Sequence, residues 1–128
     1  MTEDDDTTKP LTSVRSATGK GALIIGHGAD RRYGHVEICV EPTPDSDSYV
    51  LDWSVPDGML LPEQRAIIMA TAQQFLDAFM RKQPICGFTA SITMGSWLGD
   101  ARNDAYDRAT EIALTEALHN ANITTKVA

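Results

Sequence analysis

The sequence predicts an α+β fold: a two-layer sandwich of one sheet with two helices on one of its faces. Three segments alternate apolar and polar residues, the pattern of a strand with a single buried face. Two longer segments, after Pro62 and after Asp100, repeat apolar residues every three or four positions. No strand-like segment is apolar throughout, as a sheet covered on both faces requires, so the second face meets water.

The elements follow in order. Residues 1–20 are rich in Asp, Thr, Ser and Lys without periodicity, and are expected to be a disordered or loosely attached lead-in. One domain over residues 21–128 follows, a length that buries a real core. ALIIGHG reads as a short strand. HVEICVE turns Val36, Ile38 and Val40 inward and His35, Glu37, Cys39 and Glu41 outward. TPDSDS is a turn cluster. YVLDWSV places Leu51, Trp53 and Val55 on one side, and PDG then breaks the chain.

Pro62 suits the first position of a helix, where its missing N–H costs nothing. Ile68, Ala72, Phe75 and Phe79 give that helix one apolar face, and Arg81 and Lys82 suit its C-terminal end. QPICG is the turn out. FTASITM points Phe88, Ala90, Ile92 and Met94 inward, with Thr89, Ser91 and Thr93 outward. GSWLGD reads as a loop. Asp100 is a candidate N-cap for the second helix, whose small face of Ala105, Ala109, Ile112 and Ala113 lets it lie close to a sheet. ITTKV is a short final strand.

The net charge of −7 excludes non-specific binding to nucleic acid, which needs a cationic surface. Any RNA contact must be local. No apolar run approaches the roughly 20 residues that cross a bilayer, so no membrane is expected. The acidic, polar N-terminus is unlike a secretory signal, and Cys39 and Cys86 are expected as reduced thiols in a cytoplasmic protein.

The glycines of GKGALIIGHG precede a strand, whereas a dinucleotide fingerprint needs a helix after them; they read as turn glycines. There is no phosphate-binding G-x-x-x-x-G-K-[ST] stretch, so no nucleotide and no cofactor is expected. His35, Glu37, Cys39 and Glu41 share a strand face, but same-face neighbours stand about 7 Å apart and cannot close around one ion unaided. No metal site and no catalytic residue is expected, because the serines near a possible base lie in loops without a nucleophile elbow.

Two loops differ. GADRRYGH and GSWLGDARN fall at the same end of a two-layer domain, bringing together Arg31, Arg32, Tyr33, Trp97 and Arg102. Arginine beside exposed aromatic rings contacts RNA backbone and unstacked bases. The alternative is that Tyr33 and Trp97 only anchor their loops to the core.

These stretches resemble the fourth domain of bacterial elongation factor G, the ribosomal translocase. GADRRYGHVEICVEP is similar to that domain's glycine-rich loop and following strand, which end in Gly-Gln-Tyr/Phe-Gly-His-Val. LDWSVPDGMLLPEQRAIIMATAQQFLDAFM is similar to its strand, turn, Ile-Pro and long helix. GFTASITMGSW resembles the strand closing in Gly-Ser-Tyr, and NDAYDRATEIALTEAL the helix after it. The resemblance covers about residues 20–121. It implies a β-α-β-α sandwich with a mixed sheet and a left-handed crossover. It also implies a tip, Gly28–Gly34 with Trp97–Arg102, that works beside RNA, and adds Asp100 to the tip candidates. WLGDARN stands where the family has Tyr-His-Asp-Val-Asp-Ser-Ser, and lacks the histidine. The GTPase domain's motif is absent.

The implied function is a non-enzymatic, stand-alone module that binds the ribosome or a structured RNA. The alternative is a protein-interaction domain that kept the scaffold and lost the ribosomal role. A small-molecule enzyme on the same sandwich is a third reading, for which the sequence displays no site.

Overall fold

The structure, a computed structural model, describes residues 11–12, 16–26, 28–43, 48–82, 85–97, 102, 104–121 and 124–125. Its elements are β1 (Leu11–Thr12), β2 (Ala17–Ile25), a short 3-10 helix (Gly28–Asp30), β3 (Arg32–Pro42), β4 (Tyr49–Trp53), α1 (Pro62–Lys82), β5 (Ile85–Cys86), β6 (Phe88–Ser96), α2 (Tyr106–Asn120) and β7 (Thr124–Thr125). The main sheet has the order β2-β3-β6-β4. β3 is antiparallel to β2 and β6, while β4 is parallel to β6, so the sheet is mixed. The two helices complete the α+β sandwich.

Two parts of the sequence reading change at the periphery. β1 pairs with β5 and β7 in a small second sheet, so QPICG holds a strand as well as a turn. The expected boundary at residue 20 falls inside β2, which begins at Ala17.

The core lies between sheet and helices. Val36, Ile38 and Val40 of β3 and Phe88, Ala90 and Ile92 of β6 are fully buried, as the alternation requires. Met94 breaks that alternation. Glu37 pairs with Met94 but Ile38 with Ile92, so Thr93 is an extra residue in β6. Such a bulge reverses the facing of every residue beyond it. Met94 therefore lies on the outer face, 41% exposed, and Gly95 turns inward under Leu60.

α1 begins at Pro62, and the Leu61 N–H donates to Gln64 Oε1 at 2.9 Å, one half of a capping box. Its deepest line is Ile68, Ala72 and Leu76, at successive four-residue steps. Phe75 and Phe79, expected at the centre of that face, sit beside it. They are half-buried, stack on each other with centroids 6.5 Å apart, and line a groove with Glu111 of α2. Ile112, also expected inward, is 44% exposed; α2 instead buries Tyr106, Ala109, Thr110, Ala113, Leu114, Ala117 and Leu118.

α2 rests on β2 and β3 almost backbone to backbone. A Cβ on Gly21 would lie 1.9 Å from the Ala109 carbonyl oxygen; on Gly19, 2.0 Å from that of Ala113; on Gly34, 2.4 Å from that of Ala105. These glycines are in strands, not in the turn the sequence suggested for Gly19 and Gly21. Ala105, Ala109, Ala113 and Ala117 form the facing ridge, one per helical turn. α2 also covers the edge of β2: the Lys20 N–H donates to Glu116 Oε1 at 2.8 Å, and Asn120 Nδ2 donates to the Thr18 carbonyl at 3.1 Å.

Gly21→Ala should destabilise the fold by about 1–3 kcal/mol, the cost of overpacking. Denaturant midpoints check this; an unchanged or raised midpoint contradicts the close contact. Leu76→Ala should cost about 2–5 kcal/mol and Phe79→Ala less, because only Leu76 is fully enclosed. Equal shifts of the two midpoints would place the helix face wrongly.

Candidate nucleic-acid interface

Three connections gather at one end of the sheet. The β2–β3 turn uses Gly26 and Gly28 at φ +89 and +60, backbone conformations that suit glycine. β4 runs parallel to β6, so its exit lies at the same end, where Arg65 covers the Trp53 ring at 5.1 Å. The chain leaves β6 at Ser96 and returns against the start of β3. There Arg102 N–H donates to the Arg31 carbonyl at 2.9 Å, Tyr33 N–H to that of Arg102 at 2.7 Å, and Ala105 N–H to that of Tyr33 at 3.1 Å. This short parallel ladder explains the start of the second helix. The helix begins at Tyr106 with Ala105 as its N-cap and no side-chain cap. Arg102 spends both its N–H and its carbonyl on β3, and Ala105 its N–H, while the Ala105 carbonyl accepts the first helical bond, from the Ala109 N–H. Asp100, the expected cap, lies outside the described residues.

The ladder brings Arg31, Arg32, Tyr33 and Arg102 together, as the sequence suggested. Their side chains part company. Arg31 Nη1 donates to the Gly28 carbonyl at 3.1 Å, within its own turn. Arg32 reaches Asp104, with Nε donating to Oδ1 at 2.8 Å and Nη2 to the backbone carbonyl at 3.1 Å. Arg102 Nη2 donates to the other carboxylate oxygen at 3.3 Å. The bond to Asp104, with its charge, raises the Arg32 pKa above the ordinary guanidinium value. Asp30 and Asp107 are exposed close by in sequence, so the end is of mixed charge.

Tyr33 points along the outer sheet face. Its hydroxyl is hydrogen-bonded to Ser96 Oγ at 2.9 Å. Ser96 Oγ is also 2.7 Å from His35 Nδ1, and His35 Nε2 is 3.1 Å from Glu37 Oε2. Tyr106 donates to the Ser96 carbonyl at 2.8 Å from beneath. Ser96 thus sits in a strand opposite His35, not in a loop. The connectivity is that of a serine, a base and an orienting carboxylate. The hydroxyl is engaged by both imidazole and phenol on an open sheet face, so the string locks the stem of the loop. Trp97, the next residue, is 54% exposed. Asp104, Ser96 and Tyr106 escaped sequence reasoning, because only the register of β3 with its neighbours puts them there. Among the described residues, no three His, Cys, Asp or Glu side chains converge to hold a metal, and no helix is long and apolar enough to cross a membrane.

No family model matches the chain, and no curated protein does. Among solved structures, a crystal structure of a Thermus thermophilus protein matches with a TM-score of 0.67 and 22% identity, over 89% of this chain and 17% of that one. The chain therefore spans less than a fifth of that protein's length. The likeness establishes the two-layer fold. Mevalonate kinase from methicillin-resistant Staphylococcus aureus matches at a TM-score of 0.46 and 16% identity, over 85% of this chain and 39% of the kinase.

Two tyrosines ionise late, Tyr106 at this end of the sheet and Tyr49 at the other, where it pairs with Phe88. Burial, then the hydrogen bond to Asp77, pushes Tyr49 up to about 12; burial, then the neighbouring Tyr33, pushes Tyr106 up to about 12. A raised pKa means the folded state holds the proton after the unfolded state, at 10.0, has lost it. The stability is fully present below pH 10 and falls as pH rises toward 12. Stepwise denaturant unfolding across that window should show the decline, and Tyr49→Phe should make it shallower. A flat profile would contradict the buried hydroxyls.

Proposed function

We propose that this chain is a non-enzymatic binding module of the elongation factor G fourth-domain type, which contacts the ribosome or a structured RNA in the cytoplasm through the loop end of its sheet. The observation that carries the reading is the ladder of Arg31, Arg102, Tyr33 and Ala105. It joins two loops far apart in sequence into one surface that bears arginines and a half-exposed indole. The sequence resemblance supports the same end, since the family's tip is built from the corresponding loops. Cations and aromatic rings on one rigid edge suit phosphate contacts and base stacking. The interleaved aspartates make the contact geometric and local, in keeping with the net charge of −7.

Co-sedimentation with purified ribosomes over a salt series tests this. Wild-type protein should pellet at low salt. Arg31→Ala should weaken association and flatten its salt dependence by about one phosphate contact. Trp97→Ala should weaken it by about 1–3 kcal/mol through lost stacking. Absence of association even at the lowest salt overturns the reading in favour of a protein-interaction domain. The surface for that role is the helical groove, where Phe75, Phe79 and Ile112 remain partly exposed.

A further inference from the structure

The two oxygens of the Asp104 carboxylate are each held by a different guanidinium, Oδ1 by Arg32 at 2.8 Å and Oδ2 by Arg102 at 3.3 Å. Two guanidiniums converging on two oxygens of one anion is the donor arrangement that a phosphate also takes. Arg32, Asp104 and Arg102 are 36%, 39% and 61% exposed, so solutes reach the cluster. Exposed ion pairs are weak. The backbone on either side of Asp104 is fixed independently, by the Arg102 and Ala105 bonds to β3. The carboxylate can therefore swing away while the loop stays in place.

We infer that Arg32 and Arg102 form a phosphoryl-binding pair and that Asp104 is its resident competitor. A phosphodiester enters by displacing the Asp104 side chain and takes over both guanidiniums. The inference rests on the RNA reading above for the source of the phosphate, and on the geometry for the site. The competitor offsets one of the pair's two charges and occupies both guanidiniums until a doubly coordinating anion arrives.

Fluorescence anisotropy with a labelled oligouridylate at low salt reads the exchange. Asp104→Asn removes the charge and keeps an acceptor for Arg32. It should bind about three- to tenfold tighter than wild type, with a steeper salt dependence. Adding Arg102→Ala should cancel that gain. Asp104→Ser, a second route to the same loss of charge, keeps the test in force if the asparagine variant folds poorly. Inorganic pyrophosphate should raise the unfolding midpoint of the Asp104 variants more than that of wild type. Wild-type binding to RNA with no gain in either variant overturns the competitor and leaves the proposed function standing. A pyrophosphate gain without any binding of oligouridylate upholds the phosphoryl pair and overturns the single-stranded phosphodiester as its ligand, leaving the ribosome reading to the co-sedimentation test. No gain with either probe overturns the inference.

Discussion

The separation between α2 and the sheet governs this structure. Three glycines on β2 and β3 face three alanines of α2 and its N-cap Ala105, and no side chain stands between the backbones. Dispersion contacts at that distance are dense, and they are lost steeply if the layers part. The same separation sets the loop end. Ala105 belongs both to the alanine ridge and to the ladder with Tyr33, and Tyr106 begins the helix and holds the Ser96 carbonyl. A helix raised by one methyl layer would strain both bonds together. Packing in the body and geometry at the tip are thus one constraint.

Charge is arranged differently. The chain is acidic overall, and its arginines at the loop end alternate with aspartates. No diffuse positive field results. What the end offers is direction: guanidiniums aimed by a carboxylate, an indole carried on a locked stem, and two loops tied by backbone bonds. Such an arrangement discriminates by fit more than by long-range attraction.

Much of this was readable in the residues. The strict alternation of Val36, Ile38 and Val40 survives because β3 is central and has one buried face. Pro62 marks the start of α1, since a proline ring fits only there. The two arginine-bearing segments meet at Arg32 and Arg102, as the order of elements implies. What was hidden depends on register. The extra residue at Thr93 has no compositional mark, yet it sends Met94 outward. Ser96 meets His35 across 61 positions, and Asp104 meets Arg32 across 72. Local propensity also yielded to tertiary bonds at the start of α2, where the ladder to β3 delays the helix past the expected cap.

The hydrogen bonds between β2 and the Glu116 and Asn120 side chains have a consequence for how copies of this chain meet. They occupy backbone groups that an incoming strand would need at Thr18 and Lys20. The strand order leaves β2 and β4 as the two edges of the main sheet. On β2 the helix takes the groups at Thr18 and Lys20 out of use, so an added strand could pair there only with the part toward Ile24. Two side chains of a helix thus shorten the edge along which a second copy could extend the sheet.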